Sequence, residues 1–331
     1  MKKIGLVGYF GWGNFGDELF VETHKQQLAS TVQLEQVHDI LQEPYFSRDI
    51  NEVVKDYDGF LIGGGDLLNP VRISTLYWRK EYLTKPVFIT GLGVPNLKWN
   101  RQDILDKYRA FFQHKNIKMV IARDQESAKW INEHIKPNVE AKFFPDPVCS
   151  LRRPDVVQSK DKLLGVVIRS HRSLTGDLSH VRKLIDVAYS QGYKVRHIVL
   201  GTQSIGEADY EITKSLALPR EEIIYTESLT DQCKAIGECH ALVSIKFHGL
   251  IVATMYGIPT IALSSTPKNK NFLRMIDRMD LSSSYTQEDL HTRMFHYPAR
   301  IHQLVRANLY KQSVAGYQEL KSAIKQALQI V

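Results

Sequence analysis

Short apolar runs that alternate with helix-length amphipathic stretches constrain this chain more than any other feature. In the first half the runs fall at 3–9, 32–38, 59–62, 87–91, 119–122 and 141–144, with helices expected at 17–30, 50–57, 73–83, 102–114 and 125–135. A strand that is apolar along its whole length is covered on both faces, and helices between such strands make the sheet parallel. The pattern predicts a doubly wound α/β domain. After a polar, proline-containing stretch from Arg152 to Lys162 it repeats, with strands at 163–168, 195–200, 223–225, 241–245 and 260–263 and helices at 178–191, 208–216, 230–238 and 250–256. A length of 331 residues also exceeds one modest core. We therefore expect two Rossmann-like domains, 1–152 and 163–298, facing across a cleft. The tail, 299–331, carries Ile301, Leu304, Val305, Tyr317, Leu320, Ile324 and Leu328 at helical spacing and is expected to be a long helix packing across the domains.

Charge and composition narrow the function classes. Lys and Arg total 43 against 36 Asp and Glu, a net charge of +7 that favours anionic partners such as a phosphorylated substrate or an acidic membrane surface. No RNP motif, zinc-finger spacing or Lys/Arg block accompanies it, so no nucleic acid is expected. The three cysteines (Cys149, Cys233, Cys239) are odd in number and lack CxxC spacing, which argues against a disulfide framework and against zinc. They are expected to be buried. No apolar run reaches the roughly 18 residues of a membrane span, and Met1-Lys2-Lys3 leads directly into a strand, so a cytoplasmic protein is expected.

Open α/β sheets bind ligands beyond the carboxyl ends of their strands, and the chemically expressive residues lie there. After the first strand comes Gly8-Tyr9-Phe10-Gly11-Trp12-Gly13-Asn14-Phe15-Gly16-Asp17-Glu18. Its glycines permit a tight turn or close approach to an anion, while Asn14, Asp17 and Glu18 suit a helix start. Gly11, Gly13 and Gly16 form GxGxxG, but the acid expected about 20 positions on has only Asp39 as a candidate, so a dinucleotide site is weakly supported. Gly63-Gly64-Gly65-Asp66 after the third strand is either a ligand approach or a tight turn with Asp66 as a cap. Arg123 and Asp124 follow the fifth strand, where Arg123 either binds an anion or pairs with a neighbouring acid. Asp146, held between Pro145 and Pro147, reads as a domain anchor or an acceptor-hydroxyl ligand.

The second domain is richer in cations. Arg169-Ser170-His171-Arg172 ends its first strand, where a guanidinium can grip carboxylate or phosphate in a fork. Ser244-Ile245-Lys246-Phe247-His248-Gly249 follows a buried strand and opens a helix that ends at Gly257-Ile258-Pro259, with Lys268 beyond the next strand. Most of the 12 histidines are expected to be structural. His248 differs by position, because a side chain that both gives and takes protons near neutrality stands beside cations at a strand end.

Asn14-Phe15-Gly16-Asp17-Glu18, Gly63-Gly64-Gly65-Asp66, Arg123-Asp124-x-x-Ser127, Asp146-Pro147, Ser244-x-Lys246-x-His248, Gly257-x-Pro259 and Lys268 occur in the order that resembles the polysaccharide pyruvyl transferase family. The resemblance covers residue 4 to about 275. It implies a two-domain GT-B-type fold and an enzyme that moves enolpyruvate from phosphoenolpyruvate onto two sugar hydroxyls, making a cyclic ketal and releasing phosphate. It implies His248, Asp17 and Asp66 as catalytic, and Arg169, Lys246, Lys268, Asn14, Gly64, Gly65 and Arg123 as substrate-binding. Many members carry Arg where this chain has Lys246, and an ammonium keeps the charge but not the fork. Phosphoenolpyruvate is then a co-substrate, and no cofactor or metal is called for. The partners are phosphoenolpyruvate and a sugar or lipid-linked oligosaccharide, with peripheral contact at the inner membrane leaflet permitted by the basic charge. The rival readings are a GT-B nucleotide-sugar glycosyltransferase and a non-catalytic glycan-binding protein. Against the first, Leu250–Tyr256 contains no acid where retaining glycosyltransferases usually present a glutamate pair.

Overall fold

The computed structural model describes residues 1–170, 178–296 and 299–330. His171 and Arg172 therefore lie outside the described residues. The chain forms two compact units, one of Met1–Gly11, Leu19–Leu151 and Leu309–Val331, the other of Trp12–Glu18 and Arg152–Asn308.

Unit 1 is built on a parallel six-stranded sheet in the order β2-β1-β3-β4-β5-β6. The strands are β1 (Lys3–Val7), β2 (Gln33–Gln36), β3 (Gly59–Gly65), β4 (Val87–Leu92), β5 (Ile117–Ala122) and β6 (Ala141–Phe143). The central strands β3 and β4 are buried along their whole length, as continuous apolar runs in a doubly covered sheet must be. Connecting helices are α1 (Phe15–Leu28), α2 (Ile50–Val53), α3 (Gln102–Phe112) and α4 (Gln125–Trp130). The helix expected at 73–83 is absent; only a 3-10 turn at Lys80–Thr84 forms there. Its aromatic residues anchor one by one instead. The Tyr82 hydroxyl donates to the Leu76 carbonyl, which a helix there would use, and the Trp78 indole reaches back to the Leu67 carbonyl outside the segment, both rings being buried.

Unit 2 has a parallel five-stranded sheet in the order β11-β10-β7-β8-β9. The strands are β7 (Leu163–Val167), β8 (Lys194–Ile198), β9 (Glu222–Ile224), β10 (Ala241–Ser244) and β11 (Thr260–Ala262). Helices are α5 (Ser179–Ser190), α6 (Gln203–Leu216), α7 (Leu229–Gly237), α8 (Phe247–Tyr256), α9 (Pro267–Met275) and α10 (Leu290–His296). From β7 the chain winds outward through β8 and β9, then returns to place β10 on β7's other side. The order reverses there, which makes the carboxyl ends of β7 and β10 the switch point where such sheets open a crevice. Helix α8 is apolar all round and is buried from Phe247 to Met255. It ends at Gly257, whose φ of +81° closes a Schellman turn with Ile258 N–H bonded to Ala253 O.

The long C-terminal helix is present as α11 (Gln303–Leu328). From Leu309 onward it belongs to unit 1, where Tyr317, Leu320 and Ile324 join Ile4, Leu6, Leu61 and Phe88 in the core. The Tyr317 hydroxyl shares a 2.6 Å hydrogen bond with His24 Nδ1. Burial drives that imidazole down to about 3 and lifts the phenol well above its ordinary value, so both are neutral. Trp12–Glu18 makes the reverse exchange and joins unit 2, which a single boundary near residue 152 does not foresee. The segment is clipped by backbone pairing: Thr202 N–H donates to Gly13 O at 2.8 Å, and Asn14 forms an antiparallel bridge with Gly201. Among the described residues, no helix is long and apolar enough to cross a membrane.

Candidate active site

In unit 2 the side chains converge at the β7/β10 switch point. The turn after β10 is set locally: the Ser244 hydroxyl donates to the Lys246 carbonyl at 2.8 Å, Lys246 is the N-cap of α8, and Gly249 N–H returns to Lys246 O at 3.1 Å. A side chain at 249 would meet the Ser244 hydroxyl, which explains the glycine after the histidine. His248 thus sits in the first turn of a rigid, buried helix, itself 9% exposed.

Across from it lies the first turn of α1. Asn14 O accepts from the amides of Asp17 and Glu18, the Asn14 side-chain amide donates to the Asp17 carboxylate, and Glu18 reaches back to Gly13 N–H. Gly16 packs directly on the His248 ring, and a Cβ there would overlap Nδ1. Gly13 has φ +81° and lies against the Thr202 carbonyl. Gly13 and Gly16, two of the three glycines of the GxGxxG, are therefore spent on protein neighbours. Burial pushes the Asp17 carboxyl up to about 6, although the Asn14 hydrogen bond and the nearby His248 and Lys268 pull it down. Asp17, His248 and Lys268 thus form one electrostatic group, and Lys268 Nζ also lies 5.7 Å from the Phe247 ring centroid.

Lys246 points elsewhere. Its Nζ donates to Leu200 O and forms an ion pair with Asp209, each at 2.5 Å, with Lys246 8% and Asp209 2% exposed. Burial draws the ammonium below its ordinary value and Asp209 opposes that. The other Asp209 oxygen accepts from Ser170 N–H at 2.6 Å. Arg169, one residue earlier, is partly exposed; burial lowers it and the Asp209 charge holds it up.

Unit 1 carries its own cluster at the carboxyl ends of β3, β4 and β5. Arg123 is buried, pairs with Asp66 and lies 3.9 Å from Asp146. Gly93 lacks a side chain because the guanidinium lies against it. Asp124 caps α4 through Ser127 N–H, and the Ser127 hydroxyl accepts from Val94 N–H. Asp146 caps the turn at Pro147–Ser150 through Val148 N–H. Gly64 and Gly65 hold φ of +91° and +83°, and a side chain at 64 would press on Phe20 and Phe10. Here the turn demands the glycines.

The sequence profile of polysaccharide pyruvyl transferases matches residues 14–267. The chain belongs to the polysaccharide pyruvyl transferase family. Solved structures extend the fold assignment to GT-B-type proteins. A UDP-N-acetylglucosamine 2-epimerase from Rickettsia bellii superposes with a TM-score of 0.62 at 10% identity, covering 99% of this chain and 97% of that one. An S. aureus MnaA–UDP co-structure gives 0.61 at 12%, covering 100% and 98%. A UDP-GlcNAc 2-epimerase from Neisseria meningitidis bound to UDP-GlcNAc gives 0.57 at 11%, covering 99% and 100%. At these identities the likeness is one of fold. No curated protein matches the chain in sequence.

In this family member, the structure brings Asn14, Asp17, His248, Lys268, Lys246 and Arg169 into unit 2, although the first two precede its main segment by more than a hundred residues in sequence. Asp66, Arg123, Gly64 and Gly65 stay in unit 1. Asp209 escaped the sequence reading. Its signal was present, since Gly206, Asp209, Thr213 and Leu216 form the buried stripe of α6, and an acid on an apolar stripe requires a partner.

Proposed function

We propose that the protein transfers the enolpyruvyl group of phosphoenolpyruvate to two hydroxyls of a sugar in a cell-surface polysaccharide or its precursor. The observation that carries this reading is the convergence of Asp17, His248 and Lys268 beside Arg169 at the unit 2 switch point. Phosphoenolpyruvate bears about three negative charges near neutrality, and a lysine and an arginine fit its phosphate and carboxylate. His248 donates a proton to the methylene carbon, which leaves C2 electrophilic. A sugar hydroxyl adds to C2 and gives up its proton to Asp17, whose raised carboxyl near 6 suits a base. The C2–O bond to phosphate breaks, phosphate departs with the electron pair and takes up the proton held by Asp17, and the second hydroxyl closes the ketal and returns its proton to His248. The enzyme works in the cytoplasm, and its net charge of +7 suits an acceptor on an anionic membrane face.

His248→Gln tests the acid. Ketal formation should fall by about a hundredfold or more, in line with general acid catalysis; a wild-type rate would remove His248 from that role. The likeness to UDP-bound proteins favours one second reading, a nucleotide-sugar enzyme. Stabilisation by phosphoenolpyruvate in a thermal-shift assay supports pyruvyl transfer, and stabilisation by a UDP-sugar alone supports the second reading.

A further inference from the structure

We propose that Asp209 is a positioning residue and that Lys246 is its internal partner, not a ligand of the donor. Three segments meet on this one ion pair. Asp209 holds Ser170 N–H, just past β7, at 2.6 Å; Lys246 holds Leu200 O, just past β8, at 2.5 Å; and Lys246 is itself the N-cap of α8, just past β10. With Lys246 and Asp209 only 8% and 2% exposed, the pair is nearly dry. Such pairs give little net stability, because desolvation offsets the attraction, but losing one partner strands the other. What this pair gains is register. Ser170 adjoins Arg169, and Lys246 is two residues from His248, so the pair fixes the cation and the acid relative to each other across the switch point. An ammonium committed to a carboxylate and a carbonyl contributes little charge to a bound phosphate. The inference rests on the pyruvyl transfer reading for its kinetic part, but its structural part does not.

The test compares, on the intact protein, Asp209→Asn, Lys246→Met and the apolar pair Asp209→Leu/Lys246→Met. Each single change should lower kcat by about tenfold or more while the KM for phosphoenolpyruvate stays within about threefold, and the double variant should melt higher than either single variant. Backbone amides at 169–170 and 247–250 should exchange about tenfold faster in the single variants. Asp209→Glu, which keeps the charge, should recover part of kcat. The proposal is overturned if Lys246→Met raises the phosphoenolpyruvate KM tenfold while Asp209→Asn leaves or lowers it, since that marks Lys246 as a ligand. Unchanged exchange and unchanged kcat in both single variants also overturn it. If the wild type shows no response to phosphoenolpyruvate, the proposed function fails, and exchange and melting still decide the role of the pair.

Discussion

Both units place a buried cation at the carboxyl ends of their strands, but they balance it in opposite ways. In unit 1 Arg123 faces two acids, Asp66 and Asp146, so its guanidinium is matched and outnumbered. In unit 2 Lys246 pairs with Asp209, and Arg169 and Lys268 stand nearby with Asp17, a carboxyl that burial keeps partly protonated near neutrality. By these charges the first cluster is acidic and the second basic, and the basic one is where the proposed donor site lies.

The comparison can be broken most forcefully in unit 1. Arg123→Met takes the guanidinium away from Asp66 and from the buried Asp146, and should cost about 3–5 kcal/mol of stability by denaturant unfolding, as removal of one partner from a buried pair does. A loss under 1 kcal/mol would show that the unit 1 cluster is not a cross-link. In unit 2 the sign reverses for Asp17. Its folded carboxyl lies near 6 against an ordinary 3.8, so the folded state binds the extra proton and stability falls as pH rises from about 4 to about 6. Asp17→Asn should relieve up to about 3 kcal/mol of this at pH 8 and little at pH 4, while activity falls and its acidic limb near 6 disappears. Thermal melts at the two pH values, set beside a pH–rate profile, check both halves. If the variant is less stable at pH 8, the carboxylate is not a strained functional group.

Gly16→Ala sharpens the contrast further, since its methyl group occupies the space of the His248 ring. With His248 as the proposed acid, we expect kcat/KM to drop about a hundredfold with far smaller loss of unfolding stability, because the helix start can shift where that ring cannot. Retained activity within threefold would detach the first turn of α1 from the site. The smallest effect concerns the C-terminal helix. Tyr317→Phe removes the bond to His24 and should cost about 1 kcal/mol, with earlier exchange of amides in α11 and no change in donor KM.

How much was legible beforehand depended on whether the physics was local. The central strands β3, β4, β7 and β10 were visible as apolar runs, because a doubly covered strand needs nothing but apolar residues, whereas the edge strand β2 is largely polar and partly exposed. The helix start at Asn14, the Schellman stop at Gly257 and the glycine beside His248 were also written in residue types. The false helix at 73–83 shows the limit: Trp78 and Tyr82 fit an amphipathic pattern, yet their buried side chains anchor singly on the carbonyls of Leu67 and Leu76 and only a 3-10 turn forms. The family motifs marked His248, Lys246 and Asp17 but not how they share the work.

The sequence by itself determined the two α/β sheets, the long tail helix and the order of family motifs, since periodicity and glycine placement depend on neighbours within a few positions. Only the tertiary structure decided which unit owns Trp12–Glu18, that Gly16 rests on His248, and that Asp209 claims Lys246. Those outcomes depend on groups far apart in the chain meeting out of water, where charge must find charge and a missing Cβ becomes room for another ring.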